Sequence, residues 1–201
     1  MYCLAVQFAK VREKITEEQY SYYISELLTL PEKMQKTLED KERIQWFAAK
    51  YANAHDVFFV GRGIDYAVCL EGSLKLKEIS YLHAEGYPAG ELKHGPLALV
   101  DAEMPVVTVA PNDELLEKLK GNMEEVRARK GELFVFSDQG CNIQPSEGMH
   151  VIQLPENYAV LSPILHVIPL QLLAYHTAIA KGTDVDLSLI HISEPTRHSL
   201  I

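Results

Sequence analysis

The sequence has few cysteines, and their arrangement gives no sign of pairing. The 201 residues include three, Cys3, Cys69 and Cys141, which are widely spaced and contain no C-x-x-C motif. This odd, scattered set predicts neither a disulfide framework nor a cysteine-rich zinc site. A reducing, cytoplasmic compartment is the simplest interpretation.

Basic residues are also scarce. The chain has 19 Lys and Arg against 28 Asp and Glu, a formal net charge of -9. A nucleic-acid-binding protein needs a basic face to meet phosphates, so the charge argues against that class. A small anionic ligand stays possible, because a local group of backbone N–H donors can hold one.

Long hydrophobic runs are missing. No segment approaches the roughly 18 consecutive apolar residues that suggest a membrane span. The opening MYCLAVQFAK has neither the basic start nor the apolar core of a signal peptide. We therefore expect a soluble protein that does not interact with a membrane. The length suits one domain of roughly 100–200 residues plus an appendage.

The spacing of the hydrophobic residues changes once along the chain. Residues 1 to about 53 follow the 3–4 spacing of amphipathic helices, with Pro31 as a predicted interruption. From residue 56 onwards, continuous apolar runs alternate with helical patterns, which predicts an α/β fold with a parallel sheet covered on both faces. Ligands of such sheets usually lie beyond the carboxyl ends of the strands. The predicted strands are 56–61, 104–111, 131–138 and 150–155, and the segment 83–96 is predicted to be a loop.

The first strand ends in Gly61-Arg62-Gly63 and leads into a helix. This is the beginning of a dinucleotide-binding fingerprint, but Tyr66 stands where the third glycine belongs. A lone G-x-G is a weak signal. We favour a tight strand-to-helix turn over a cofactor site.

Three charged residues share one face of the helix predicted from about 66 to 81. Glu71, Lys75 and Glu78 lie at positions i, i+4 and i+7. The row can be a solvated ladder of ion pairs, or a carboxylate base with its helpers. Apolar side chains such as Leu74 and Ile79 flank it, which favours a cleft or an interface. Burial there would raise the carboxylate pKa and make it a better base.

A histidine follows this helix in the sequence Lys93-His94-Gly95-Pro96, where we expect a turn. A loop histidine is commonly just exposed, but its pKa of about 6.5 suits proton transfer if it reaches a site. A carboxylate, a lysine and a histidine together suit aldose–ketose isomerisation. That reaction opens the sugar ring and moves a proton between C1 and C2 through an enediol.

Two quoted runs carry a specific resemblance. EGSLKLKEISYLHAE (71–85) and AGELKHGPLAL (89–99) closely resemble the second sugar-isomerase (SIS) subdomain of the glucosamine-6-phosphate synthase family, the isomerising glutamine:fructose-6-phosphate amidotransferases. The likeness extends over roughly residues 1–186. It implies a flavodoxin-like α/β subdomain at 31–186, preceded by the closing helices of a first subdomain at 1–30.

The resemblance also implies roles for particular residues. Glu78 matches the base for the C1–C2 proton transfer, and Lys75 matches the lysine that positions the base and the substrate. His94 matches the ring-opening histidine, which in that family belongs to the neighbouring subunit's site. The implied substrate of the intact enzyme is fructose 6-phosphate, with no metal or organic cofactor, and the implied assembly is a homo-oligomer.

The departures from the family are large. A glutaminase domain and most of a first SIS subdomain have no counterpart, and the Ser/Thr-rich phosphate loops belong to that first subdomain. FVGRGIDYAV (59–68) contains no Ser or Thr. The end of the chain, LSLIHISEPTRHSLI (187–201), has neither helical period nor capping residues, and we expect it to be non-native.

Three hypotheses follow. The chain is a part of the isomerase region that is inactive alone, or a non-catalytic SIS module that binds a sugar phosphate or a partner protein. In the third, the chain alone is unstable because helices within residues 1–53 expose an apolar face.

Overall fold

The computed structural model describes residues 1–156 and 159–186. The segment 187–201, which we expect to be non-native, lies outside the described residues.

A parallel sheet forms the centre of the described part of the chain, with strand order β2-β1-β3-β4-β5. All four strand pairings are parallel. This order, with helices on both faces, confirms the predicted α/β class. The strands are Asp56–Gly61 (β1), His83–Pro88 (β2), Pro105–Ala110 (β3), Glu132–Asp138 (β4) and Met149–Leu154 (β5).

Two apolar cores lie on the two faces of this sheet. One core joins alternate strand residues such as Phe59 and Phe134 to three helices, Lys41–Tyr51 (α3), Ile64–Ser80 (α4) and Ser162–Lys181 (α6). The other joins Phe58, Val106 and Val135 to Leu116–Ala128 (α5) and to short 3₁₀ helices. The helices are Tyr2–Val11 (α1), Glu17–Glu39 (α2), Lys41–Tyr51 (α3), Ile64–Ser80 (α4), Leu116–Ala128 (α5) and Ser162–Lys181 (α6); the 3₁₀ helices are Ala89–His94, Pro96–Leu99, Gln139–Cys141 and Ala159–Leu161.

The predicted interruption at Pro31 is wrong, because α2 continues through it. A proline within a helix costs about 3 kcal/mol. This cost is offset in part by a capping box at the start of the helix, in which Thr16 and Gln19 bond each other's backbone N–H groups. Leu30 also packs against Leu161 and Leu165 in a third apolar cluster. The proposed boundary between residues 30 and 31 therefore falls inside a continuous helix.

The segment 83–96 is not the predicted loop. Residues 83–88 form the edge strand β2, with His83 opposite Asp56 and Pro88 opposite Gly61. The sequence HAEGYP lacks an apolar run. It still forms a strand, because an edge strand pairs with a neighbouring strand on one side only and is less buried than a central strand. Gly86 lies close to α4, where an added Cβ atom would be 2.8 Å from the end of the Leu70 side chain and 3.3 Å from its Cα atom.

One helix in the described residues, α6, has the length and composition of a membrane span, with a mean hydropathy of 1.3 over its most apolar window. Leu165, Leu170 and Leu173 of this helix are fully buried. Leu170 and Leu173 pack against α3 and α4 in the core, and 44% of the most apolar stretch of α6 is buried.

Candidate active site on helix α4 and the segment after strand β2

Helix α4 carries the predicted base, and glycine fixes how it meets the sheet. A Cβ atom on Gly61 would lie 2.6 Å from the Asp65 carbonyl oxygen, so the strand-to-helix turn requires glycine. This geometry supports the tight-turn interpretation of Gly61-Arg62-Gly63. Gly72 lies where α4 meets Phe59 and Leu170, and a Cβ atom there would come within 2.7 Å of Leu170.

The charged row lies on the outer surface of α4. The Lys75 Nζ is 2.8 Å from a Glu78 carboxylate oxygen and 3.9 Å from a Glu71 oxygen. The hydrogen bond to Glu78 raises the pKa of the Lys75 ammonium above its ordinary value, so this lysine stays charged. Lys75 thus links both carboxylates and orients that of Glu78.

The expected burial of the base is not found in the single chain. The Glu78 side chain is 34% exposed. The reason is that α4 turns a different side toward the core, where Cys69, Gly72 and Leu76 are buried. Ser73 and Ser80 satisfy their hydroxyls by donating to helix carbonyls at Leu70 and Leu76.

Apolar side chains accompany the row on this exposed surface. Leu74 is 50% exposed and Leu70 is 42% exposed, and both belong to α4. An exposed helix face that mixes leucines with a linked charge row is typical of an interaction surface. Of the two apolar residues expected to flank the row, Leu74 lies on this open surface, whereas Ile79 is partly buried and packs against the core.

His94 is the last residue of the 3₁₀ helix Ala89–His94, so the predicted turn at this residue is wrong. Its side chain is 73% exposed, and its Nε2 atom is 3.9 Å from a Glu91 carboxylate oxygen. The helix packs through Ala89 and Leu92, which are both fully buried. The turn begins one residue later, at Gly95, whose φ of 143° favours glycine.

The structure does not bring Glu78 and His94 together within one chain. Helix α4 packs on the face of the sheet that contains Phe59 and Leu170. Ala89 and Leu92, which hold the His94 segment, belong to the core on the opposite face. The helix that carries Glu78 and the segment that carries His94 therefore pack on opposite faces of the sheet. Glu78 also lies in the last turns of α4, away from the carboxyl ends of the strands.

The sequence analysis missed a buried cluster of ionisable residues. The His166 ring on α6 bonds Asp65 through Nδ1 at 2.7 Å and Asp138 through Nε2 at 2.9 Å. Burial alone would lower the His166 pKa, but the hydrogen bonds and charges of Asp138 and Asp65 outweigh burial and raise it to about 9. Asp138 also accepts a hydrogen bond from the Asn112 backbone. The cluster joins α4, α6 and β4.

A lone histidine in the apolar run SPILHVIPLQLL was the only sequence signal of this cluster. Its two aspartates are 101 and 28 residues away along the chain. Within the described residues, no group of three or more His, Cys, Asp or Glu side chains is arranged to hold a metal ion.

Sequence comparison relates the chain to a well-defined set of proteins. The SIS domain family matches residues 50–181. The chain is 54% identical over 186 residues to a glutamine–fructose-6-phosphate aminotransferase (isomerizing) of Xanthomonas campestris, and 56% identical to that of Neisseria meningitidis. Each match covers 92% of this chain but 30% of the relative. The chain thus spans under a third of the length of these relatives, and the resemblance seen in the motifs is confirmed.

Solved structures agree with this relation. The C-terminal domain of glucosamine-fructose-6-phosphate aminotransferase from Francisella tularensis matches with a TM-score of 0.87 and 43% identity, over 92% of this chain and 52% of that one. A tagatose-6-phosphate ketose/aldose isomerase from Escherichia coli matches with a TM-score of 0.63 and 19% identity, over 75% of this chain and 42% of that one. The second match supports the fold alone.

Proposed function

The chain belongs to the SIS domain family, and on that premise we propose that it is the second sugar-isomerase unit of an isomerising glutamine–fructose-6-phosphate aminotransferase. The complete reaction converts fructose 6-phosphate and glutamine to glucosamine 6-phosphate and glutamate. This unit supplies groups for the ketose–aldose step. The observation that carries the proposal is the Glu71–Lys75–Glu78 row on α4, within a chain more than half identical to such enzymes.

Glu78 acts as the base that moves a proton between C1 and C2 of the open sugar. Its carboxylate is oriented by the hydrogen bond from Lys75 at 2.8 Å. A carboxylate accepts the proton from one carbon and returns it to the next, so no net proton is consumed. The lysine remains a cation and stabilises negative charge that develops on the neighbouring sugar oxygens.

His94 opens the sugar ring, and it does so in a site that a second copy of the chain completes. The packing of the segments that carry His94 and Glu78 on opposite faces of the sheet supports this arrangement. A second copy that covers the exposed leucines of α4 would also shield Glu78 from water. The expected assembly is therefore a homo-oligomer.

The substrate phosphate is held by residues outside this chain. The turn after β1, Gly61-Arg62-Gly63, offers no Ser or Thr hydroxyl to a phosphate. We therefore expect chain 1–201 alone to show little or no isomerisation. Its three free thiols suit a cytoplasmic location.

A chimera tests this function. Residues 1–186 replace the matching segment of the Xanthomonas campestris relative, and conversion of fructose 6-phosphate is followed with and without Glu78→Gln. Loss of a general base predicts a fall of roughly 10²–10⁴-fold in kcat. Glu117→Gln is the matched control, since Glu117 pairs only with Lys120 on the surface of α5 among the described contacts. A Glu78→Gln chimera that keeps its rate would overturn the proposal. Isomerisation by the isolated chain that is lost in Glu78→Gln would overturn only the expectation that the chain alone is inactive.

The alternative is a non-catalytic SIS module that uses the charged row as an interface. The 34% exposure of Glu78 is the observation that favours it. In that case the chimera would bind fructose 6-phosphate without turnover, and Glu78→Gln would leave the affinity unchanged.

A further inference from the structure

The direction of the His94 side chain is set by the segment that carries it. Among the described residues, the side chain has one charged neighbour, Glu91, at 3.9 Å, and it is 73% exposed. No close contact of its own therefore fixes the ring. The orientation of the His94 ring therefore depends on the backbone of Ala89–His94 and on the contacts that hold this backbone against the sheet.

Helix α5 holds the end of this segment. The Lys93 Nζ is 2.8 Å from a Glu125 carboxylate oxygen. The Glu125 side chain is 23% exposed, whereas that of Lys93 is 63% exposed, so the carboxylate is the fixed partner. The other Glu125 oxygen accepts a hydrogen bond from the Asn122 side chain at 3.4 Å.

The same asparagine connects to the start of the segment. Its side-chain oxygen accepts a hydrogen bond from the Arg62 guanidinium at 3.2 Å, and the residue is 9% exposed. The guanidinium lies across Gly90, where an added Cβ atom would be 3.3 Å from Arg62 Nη1. Arg62 thus lies against the start of the His94 helix and Glu125 pairs with Lys93 near its end, and Asn122 hydrogen-bonds to both Arg62 and Glu125.

We propose that Glu125, together with Asn122 and Arg62, is a positioning residue for the ring-opening histidine, in an argument that rests on the proposed function of His94. A proton-transfer group must stand within hydrogen-bonding reach of its target, and a displacement of about 1 Å can cost up to 10²-fold in rate. The pair between Lys93 and Glu125 is next to His94 in the chain. Its loss frees the exposed end of the 3₁₀ helix, while Ala89 and Leu92 stay buried.

Variants that reverse the charge of either partner of the Lys93–Glu125 pair test this proposal. Glu125→Lys and Lys93→Glu each place like charges together, and the double variant restores an opposite pair. Glu124→Lys is the matched control, because Glu124 is the adjacent residue, is 66% exposed and pairs with Arg127 instead. It makes the same charge change without reaching the His94 segment.

The first measurement is amide hydrogen exchange of residues 89–95 in the 201-residue chain. Each single reversal at the pair should speed this exchange about fivefold relative to the control, and the double variant should restore it. Exchange that is unchanged in both single variants would overturn the proposal, whatever the chain's function.

The second measurement is isomerisation by the chimera that carries the same variants. We expect kcat to fall about tenfold in each single reversal with KM changed less than about twofold, and to recover in the double variant. Faster exchange without a loss of kcat, while His94→Asn abolishes turnover, would overturn positioning and leave the proposed function intact. A His94→Asn chimera with normal turnover would instead refute the role of His94, and the proposal with it.

Discussion

The His166 ring is fully enclosed between Asp65 and Asp138, so its protonation is coupled to folding. The folded pKa, about 9, is higher than the unfolded value of about 6.5. A histidine with a raised folded pKa stabilises the protein fully below the unfolded pKa. That contribution is lost as the pH rises through the folded pKa.

We therefore expect the free energy of unfolding to fall by roughly 3 kcal/mol between about pH 6.5 and pH 9. Urea unfolding measured across this range checks the value, and His166→Gln should remove most of the slope. A glutamine variant that folds with the same pH slope would contradict the assignment. If the variant does not fold, the pH dependence of the free energy of unfolding of the unmodified chain is the test. A free energy of unfolding that does not change between about pH 6.5 and pH 9 would contradict the assignment.

The cysteines allow a second prediction at the scale of single residues. Cys3 is exposed, whereas Cys69 and Cys141 are buried. Burial, with the nearby charge of Asp138, raises the pKa of the Cys141 thiol to about 12. Burial and the charge of Asp65 raise that of Cys69 further. A thiolate is the reactive form, so both buried thiols should be inert at about pH 8.

Titration with a disulfide reagent should modify one thiol rapidly in the native chain and all three in denaturant. Cys3→Ser should abolish the rapid phase. Rapid modification of a second thiol in the native chain would show that a core position opens to solvent.

Helix packing depends on glycine at one position and not at another. In α4, a Cβ atom at Gly72 would meet Leu170 at 2.7 Å and the Phe59 ring at 3.0 Å. In α5, a Cβ atom at Gly121 would meet nothing within 4 Å. Alanine is favoured over glycine in a helix by up to about 1 kcal/mol. The two positions therefore separate helix propensity from packing.

Gly72→Ala should destabilise the chain by about 1–3 kcal/mol, because α4 and α6 are forced apart. Gly121→Ala should stabilise it by up to about 1 kcal/mol. Chemical denaturation of both variants provides the comparison, and equal effects of the same sign would contradict the packing described for α4.

The elements that the sequence predicts best are those with a continuous apolar pattern. Strands β1, β3 and β4 are buried on both faces, which produces runs such as DVFFVG. Strand β2 has no such run, since it is an edge strand that pairs with β1 alone in the described sheet. The predicted interruption at Pro31 is wrong for a related reason. Local propensity predicts an interruption, but packing of Leu30 against Leu161 and Leu165 keeps α2 in one piece.

The candidate site was predictable only in part. The spacing of Glu71, Lys75 and Glu78 is enough to place them in one row, because helix geometry fixes which residues share a face. The spacing does not determine which face of α4 meets the sheet. Ser73 and Ser80 can be buried on that face because their hydroxyls donate hydrogen bonds to carbonyls of their own helix. The separation of the row from His94 depends on the whole topology and has no local signal.

At the scale of the whole molecule, the chain presents apolar and proposed catalytic groups to its surface together. Helix α4 exposes Leu74 beside the charged row, and α1 exposes Phe8 and Val11 at 61% and 70%. The chain also spans under a third of the length of its relatives. These surfaces, and the packing of the Glu78 helix and the His94 segment on opposite faces of the sheet, are consistent with a site completed by other polypeptide.

Mixing of two inactive chimeras tests most directly whether Glu78 and His94 act across two copies. One chimera carries Glu78→Gln and the other carries His94→Asn, and the two are unfolded and reassembled together. In a dimer with two shared sites, random assembly makes about half of the dimers mixed, each with one intact site. The mixture should then regain about a quarter of the unmodified rate. A mixture that stays at the level of the separate variants would contradict the account.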